Sequence, residues 1–137
     1  MVILDTHIAI WLLAAERRLT NAAAYSYIEN ASQRGTLRIE SISMFELGKR
    51  NEKDNVGFDL YVVDVIETLL ETPGLQVAGI DSRVVTESLA LGDAFPGDDA
   101  DRIICATARA LRGSLVTADS RIIGFAEEGG VRTIAVQ

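Results

Sequence analysis

Four acidic residues occupy comparable places in this chain of 137 residues: Asp5 in VILDTHIAIW, Glu46 in SISMFEL, Asp101 in FPGDDADRIICATA and Asp119 in SLVTADSRI. Asp5 and Asp119 each end an apolar run of the kind that forms a strand buried on both faces. Glu46 comes just after the strand-like TLRIES, and Asp101 falls in the first turn of the helical pattern that precedes SLVTA. If these positions share one rim, the charges conflict: two unit charges ~4 Å apart repel by about 4 kcal/mol at an effective dielectric of ~20. Protonation or a cation must offset that. Hard oxygen donors without a Cys or His cluster suit Mg²⁺ or Mn²⁺. Such an ion lowers the pKa of a bound water and can polarise a phosphoryl oxygen, so metal-assisted hydrolysis is the chemistry open to such a site.

Each acid also has a plainer role. Asp5 and Asp119 are placed to cap the helices that follow them, because Asp accepts bonds from free first-turn N–H groups. Ser43-Met44-Phe45-Glu46 fits the S-x-x-E capping box, and Asp101 suits the positive end of a helix dipole. The capping roles account for each residue singly. They do not explain why four helix starts, each next in sequence to a strand or to the helix that leads into one, all carry an acid.

The elements that must position these residues follow from the pattern. Strands are expected over 2–4, 36–41, 75–80, 114–118 and 131–136. Helices are expected over 7–16, from an N-cap at Thr20 to a stop at Gly35, over 43–50, 58–72, 81–92 with Asp81 as cap, 100–113 and 119–130. NEKDNVG reads as a polar loop, and DAFPGDDAD as a loop punctuated by Pro and Gly. Strands alternating with helices predict an α/β protein: a three-layer α/β/α sandwich around a central, mainly parallel sheet of four to five strands. Ligands of such sheets bind at the carboxyl ends of the strands, where Asp5 and Asp119 are expected. The length fits a single domain over 1–137.

The totals narrow the function. The net charge of −7 argues against holding nucleic acid or anionic lipid by bulk electrostatics. The acid surplus lies after Val56; residues 1–55 carry equal numbers of each sign. The lone Cys105 cannot form an internal disulfide, and RIICATA places it in a helix core as a buried thiol. The apolar start lacks a basic n-region and contains Asp5, unlike a signal peptide. No run approaches the ~18 apolar residues of a membrane span. A soluble, cytoplasmic protein with no membrane contact is expected.

VILDTHIAIW, SISMFEL, FPGDDADRIICATA and SLVTADSRI, taken in order, resemble the successive motifs of the PIN domain, above all those of VapC-type toxin ribonucleases of bacterial type II toxin–antitoxin pairs. The resemblance spans essentially the whole chain. It implies a PIN-like fold and a Mg²⁺- or Mn²⁺-dependent endoribonuclease that leaves a 5′-phosphate and a 3′-hydroxyl. By motif, Asp5, Glu46, Asp101 and Asp119 become the catalytic acids. Asp5, Asp101 and Asp119 are the metal ligands, and Asp98 in the same loop is a secondary candidate. Thr6 and Thr117, which flank two of the acids, are secondary candidates for orienting carboxylates or water. The resemblance also implies an RNA substrate, a cognate VapB-like antitoxin and a homodimer, with IAIWLLAAE and the 58–70 helix as contact surfaces. Two departures stand out: Asp99 where the family often has proline, expected to loosen the helix start, and Ala118 where many members have Arg or Lys.

Other residues carry weaker signals. His7 stands alone as a histidine and reads as structural or supporting. Arg17, Arg18, Lys49, Arg50 and Lys53 are candidate phosphate contacts, although scattered surface charge is the commoner meaning. Two rival functions remain open. One is an acidic module that receives a basic peptide without cleaving anything. The other is a haloacid-dehalogenase-like phosphatase, which needs a second Asp where this chain has His7.

Overall fold

The computed structural model describes residues 1–53 and 62–137. In chain order the elements are β1 (Val2–Leu4), α1 (Thr6–Leu13), α2 (Arg17–Thr20), α3 (Tyr25–Arg34), β2 (Leu37–Glu40), α4 (Ser41–Lys53), α5 (Val62–Leu70), β3 (Leu75–Ala78), α6 (Ser82–Ala90), α7 (Asp99–Ala110), β4 (Ser114–Thr117), α8 (Ser120–Gly129) and β5 (Arg132–Ala135). The five strands form one parallel sheet in the order β3-β2-β1-β4-β5. The expected three-layer arrangement is the one found.

The middle strand is β1, and its two apolar faces explain why. Leu4 packs in one core with Ile8, Leu19, Ile28, Leu37, Ile39 and Val116. Ile3, on the opposite face, packs in a second core with Ile104, Cys105, Leu115 and Ile122. Alternate residues of a strand point to opposite sides, so two consecutive apolar residues bind helices to both faces of the sheet. Leu4 pairs with Ile39 on one side and Val116 on the other. That register brings Asp5, Glu40 and Thr117, each one residue further on, to the same carboxyl edge.

Three local expectations are corrected. Thr20 does not start the second helix; it ends the one-turn α2, which seats Leu19 in the core, and α3 begins only at Tyr25. Ser43 and Glu46 are not a capping box, because α4 starts at Ser41 directly after β2. The same helix runs on through Lys53, so the first residues of NEKDNVG are helical. The rest of that stretch, the start of the 58–72 helix and the side chain of Lys53 lie outside the described residues. Among the described residues no helix is long and apolar enough to cross a membrane.

Candidate active site

Asp5 ends β1 and caps α1. Its backbone is extended, its Oδ1 accepts the Thr6 amide at 2.8 Å, and its Oδ2 accepts the Thr117 hydroxyl at 2.6 Å. The side chain is 6% exposed. Burial raises its pKa against the lowering effect of these two bonds, and the charge of Asp119 adds to the rise.

Asp119 ends the neighbouring strand and caps α8. Its amide bonds to the Thr117 hydroxyl at 3.1 Å, so one threonine ties the two acids together. Its Oδ1 accepts the Arg121 amide at 2.9 Å and Nε of Arg121 at 3.2 Å, while Oδ2 accepts Nη2 at 2.8 Å. These bonds hold the Asp119 carboxyl below its ordinary pKa.

Asp101 sits in the first turn of α7. Asp98 is the N-cap: its Oδ1 accepts the Asp101 amide at 2.8 Å, and Asp101 Oδ2 accepts the Asp98 amide at 3.2 Å. This reciprocal box fixes the helix start, so Asp99 does not loosen it; an acid at the first helical position is favoured by the dipole. Gly97 is required beside it, since a Cβ there would lie 2.6 Å from Cβ of Asp101 and 2.8 Å from its Oδ2. Burial pushes the Asp101 carboxyl up to about 6, and the charges of Asp98, Asp5 and Glu46 add to the rise. Nη2 of Arg121 lies 3.7 Å from Oδ2 of Asp101.

Glu46 projects from α4 toward the same edge. The Thr6 hydroxyl lies 2.6 Å from its Oε1 and 2.9 Å from the Ser43 hydroxyl. With one proton to give, Thr6 donates to the nearer and better acceptor, the carboxylate. A continuous chain of polar contacts therefore runs from Glu46 through Thr6, Asp5, Thr117, Asp119 and Arg121 to Asp101 and Asp98. All four acids and the secondary candidates Asp98, Thr6 and Thr117 belong to it. The capping roles expected for Asp5 and Asp119 are present as well, and they aim each carboxylate rather than compete with its placement.

A cavity of about 260 Å³ opens beside this edge, lined by Asp5, His7, Trp11, Ala118 and Asp119. Ala118 leaves the cavity clear where a longer side chain would enter it. His7 Nε2 lies 2.7 Å from Nη1 of Arg50. Burial, and then the Arg50 charge, lower the His7 pKa. Its Nε2 must therefore be the unprotonated acceptor from the guanidinium. Of the other candidate phosphate contacts, Arg18 stacks over Trp11 at 4.3 Å and Lys49 lies over Phe45 at 5.6 Å. Cys105 is buried, its thiol pushed up to about 12 by burial and by the charges of Asp5, Asp101 and Asp119. It is an inert core residue.

Three participants were missed from sequence. Glu40 is fully buried at the end of β2, bonded by the hydroxyls of Ser41, at 2.6 Å, and Thr107. The signal was present: TLRIES carries an acid at a strand end, as VILD does. Ser43 joins Thr6 on the edge. Arg121 joins Asp119 to Asp101, and nothing local in ADSRI marks that reach.

The edge is an all-oxygen donor set with a burial-raised carboxyl at Asp101, which suits a hard divalent cation. Among the described residues, no three His, Cys, Asp or Glu side chains already stand together as a metal cage.

A parallel sheet with this acid edge defines a fold and site class, and the chain belongs to the PIN domain family, whose model matches residues 2–128. It is 37% identical over 121 residues to ribonuclease VapC22 of Mycobacterium tuberculosis, covering 88% of each chain. Its fold is similar to a chain of the VapBC2 structure from Rickettsia felis bound to a DNA fragment from their promoter (TM-score 0.72, 17% identity, all of both chains). It is also similar to a chain of the DNA-bound VapBC from Salmonella typhimurium (TM-score 0.70, 18% identity, 99% and 98% covered).

Proposed function

We propose that this chain, as one PIN-like domain over 1–137, is a Mg²⁺- or Mn²⁺-dependent endoribonuclease acting in the cytoplasm as the toxin of a type II toxin–antitoxin pair. The observation that carries the reading is the edge on which hydrogen bonds join Glu46, Asp5 and Asp119 and the Arg121 ion pair brings in Asp101, in a chain 37% identical to a named ribonuclease. Asp5, Asp101 and Asp119 would hold the ion. When bound, it supplies the positive charge that offsets phosphate and makes water acidic enough to act at neutral pH. Thr117 and Thr6 fix the Asp5 carboxylate so that it need not reorganise. Glu46 faces the edge from α4 and orients the attacking water. Water adds to phosphorus, the P–O3′ bond breaks, and the products carry a 5′-phosphate and a 3′-hydroxyl. Arg17, Arg18, Lys49, Arg50 and Lys53, in the half of the chain with balanced charge, are the candidate contacts to the RNA backbone.

The partner belongs to the same reading. The pairing of Arg121 with two of these acids supports inhibition by an arginine from a VapB-like antitoxin. The helix surfaces of α1 and α5 are the proposed sites of dimer and antitoxin contact. On α5, Val63 is exposed while Val65 and Leu69 are buried. On α1, Ile8 and Ala9 are already in the core, so its outer residues carry any such contact. Membership of the PIN family leaves the phosphatase alternative without support.

The test is cleavage of RNA with Mg²⁺ or Mn²⁺, with chelator, and by Asp5→Asn. Asn caps a helix about as well as Asp, so the variant should stay folded. It should lose at least about 100-fold in rate, the scale of losing a transition-state charge interaction. Unchanged cleavage by Asp5→Asn, or full cleavage in chelator, would remove the metal-nuclease reading and leave the acidic peptide-binding module.

A further inference from the structure

We propose that Arg121 is an internal counterion which holds the place of a divalent cation between Asp119 and Asp101 and must be displaced for a metal to enter. The proposal rests on the metal-nuclease reading of the same edge.

Arg121 spans the two acids from one position on α8. Its Nε and Nη2 engage both oxygens of Asp119, at 3.2 and 2.8 Å, and Nη2 is 3.7 Å from Oδ2 of Asp101. Nη1 donates to the Pro96 carbonyl at 3.3 Å, so the fork is also anchored to the loop before α7. The guanidinium is permanently charged and matches a carboxylate at two points. It therefore supplies the positive charge that Asp119 and Asp101 otherwise lack.

The contacts conflict with metal ligation. Oδ1 of Asp119 already takes two donors, the Arg121 amide and Nε, and Oδ2 takes Nη2. A cation held by Asp119 and Asp101 would compete with the guanidinium for the same carboxylate oxygens. The amide bond to Oδ1 is backbone and can persist, so Asp119 stays aimed when the side chain leaves. The Arg121 side chain is 57% exposed, so it can swing into water without opening a cavity. Solvent screens a pair this exposed, while its two-point match gives it more hold than a single contact. It resists entry without blocking it.

The experiment compares full-length wild-type and Arg121→Gln proteins by calorimetric titration with Mn²⁺ and by melting in chelator and in Mn²⁺. Gln keeps most of the length and loses the charge. Removing an exposed competitor of this kind should tighten Mn²⁺ binding about 2- to 5-fold. In chelator the variant should melt lower than wild type, and its gain in melting temperature on adding Mn²⁺ should be larger. A merely structural Arg121 would lower melting and leave Mn²⁺ affinity unchanged. Equal or weaker Mn²⁺ binding by Arg121→Gln overturns the exchange while wild-type binding keeps the metal reading intact. If neither protein binds Mn²⁺, both the exchange and the metal reading fail.

Discussion

Thr117 donates its hydroxyl to Oδ2 of Asp5 at 2.6 Å and accepts the amide of Asp119 at 3.1 Å. One side chain thus fixes the distance between two acids that lie 114 positions apart in sequence. Thr117→Val keeps the shape and removes the hydroxyl. It leaves a buried carboxylate oxygen short of a donor, at a cost of about 1–3 kcal/mol. We expect a lower urea midpoint and slower RNA cleavage. A stability change below about 0.5 kcal/mol would be the size of a neutral surface substitution and would show that the bond does not hold the edge.

The pH dependence of the metal-free protein follows from Asp101. Its pKa is raised from 3.8 to about 6 on folding. A raised carboxyl favours the fold when protonated, so its contribution is fully present below about pH 4 and is lost as pH rises through about 6. Asp5 shifts in the same sense. Asp119 shifts downward, so its stabilising contribution is present above its ordinary value of 3.8 and is lost only at lower pH, outside this window. His7, whose pKa is lowered from 6.5, pulls the opposite way in this window, so the Asp101 contribution is read as a difference: in chelator, between pH 4 and 7, the melting temperature of wild type should fall relative to that of Asp101→Asn. An identical profile for the variant would place the titration elsewhere.

Gly97→Ala tests how tightly Asp101 is held. The new Cβ would meet Cε2 of Phe95 at 2.7 Å as well as the Asp101 side chain. The carboxylate must move, and a misplacement near 1 Å costs on the order of 100-fold in rate. Single-turnover cleavage should fall by about 10- to 100-fold, and Mn²⁺-free stability should fall too, by about 1–3 kcal/mol, because the buried Phe95 ring must also give way. Wild-type cleavage would mean that Asp101 tolerates displacement.

Glu40 makes a separate prediction about stability. It is buried without exposure and depends on hydroxyls from Ser41 and Thr107. Thr107→Val removes a donor from a buried carboxyl and should cost at least about 1–3 kcal/mol in urea unfolding. Glu40→Gln keeps the volume and loses the charge, so it should cost less. The reverse order would show that Glu40 is held by its charge alone.

The sheet and most helices were legible because their signals are local. Val2-Ile3-Leu4 and Leu115-Val116 read as buried strands, and the Asp98–Asp101 loop as a helix start. What failed depended on distant partners. SISMFEL carries a capping-box pattern, but Thr6, 37 and 40 positions away, takes both Ser43 and Glu46. The strand-end place of the acid in TLRIES was legible and passed over; its full burial was not, because that rests on Thr107, 67 positions on. Thr20 looked like a cap because the following alanines favour helix, but burial of Leu19 and Ala24 divides that stretch into α2 and α3. Arg121 reaches Asp101 only because α7 and α8 begin at the same edge.

The central position of β1 has a consequence for the timing of synthesis. Of the five strands of this sheet, β1 is made before the others and is the middle one, flanked by β2 and β4. At about 5–20 residues per second, Asp5 and Glu46 leave the ribosome long before β4 and Asp119 exist to join them. Until then β1 has one unpaired edge, and the acid pair fixed by Thr117 cannot form. A growing chain, or one cut short before residue 114, therefore carries three of the four acids, Asp5, Glu46 and Asp101, but lacks Asp119 and the Thr117 that ties it to Asp5, and has no complete site. The acid edge is thus completed only after β4 is made, when β1 to β3 and α1 to α7 already exist.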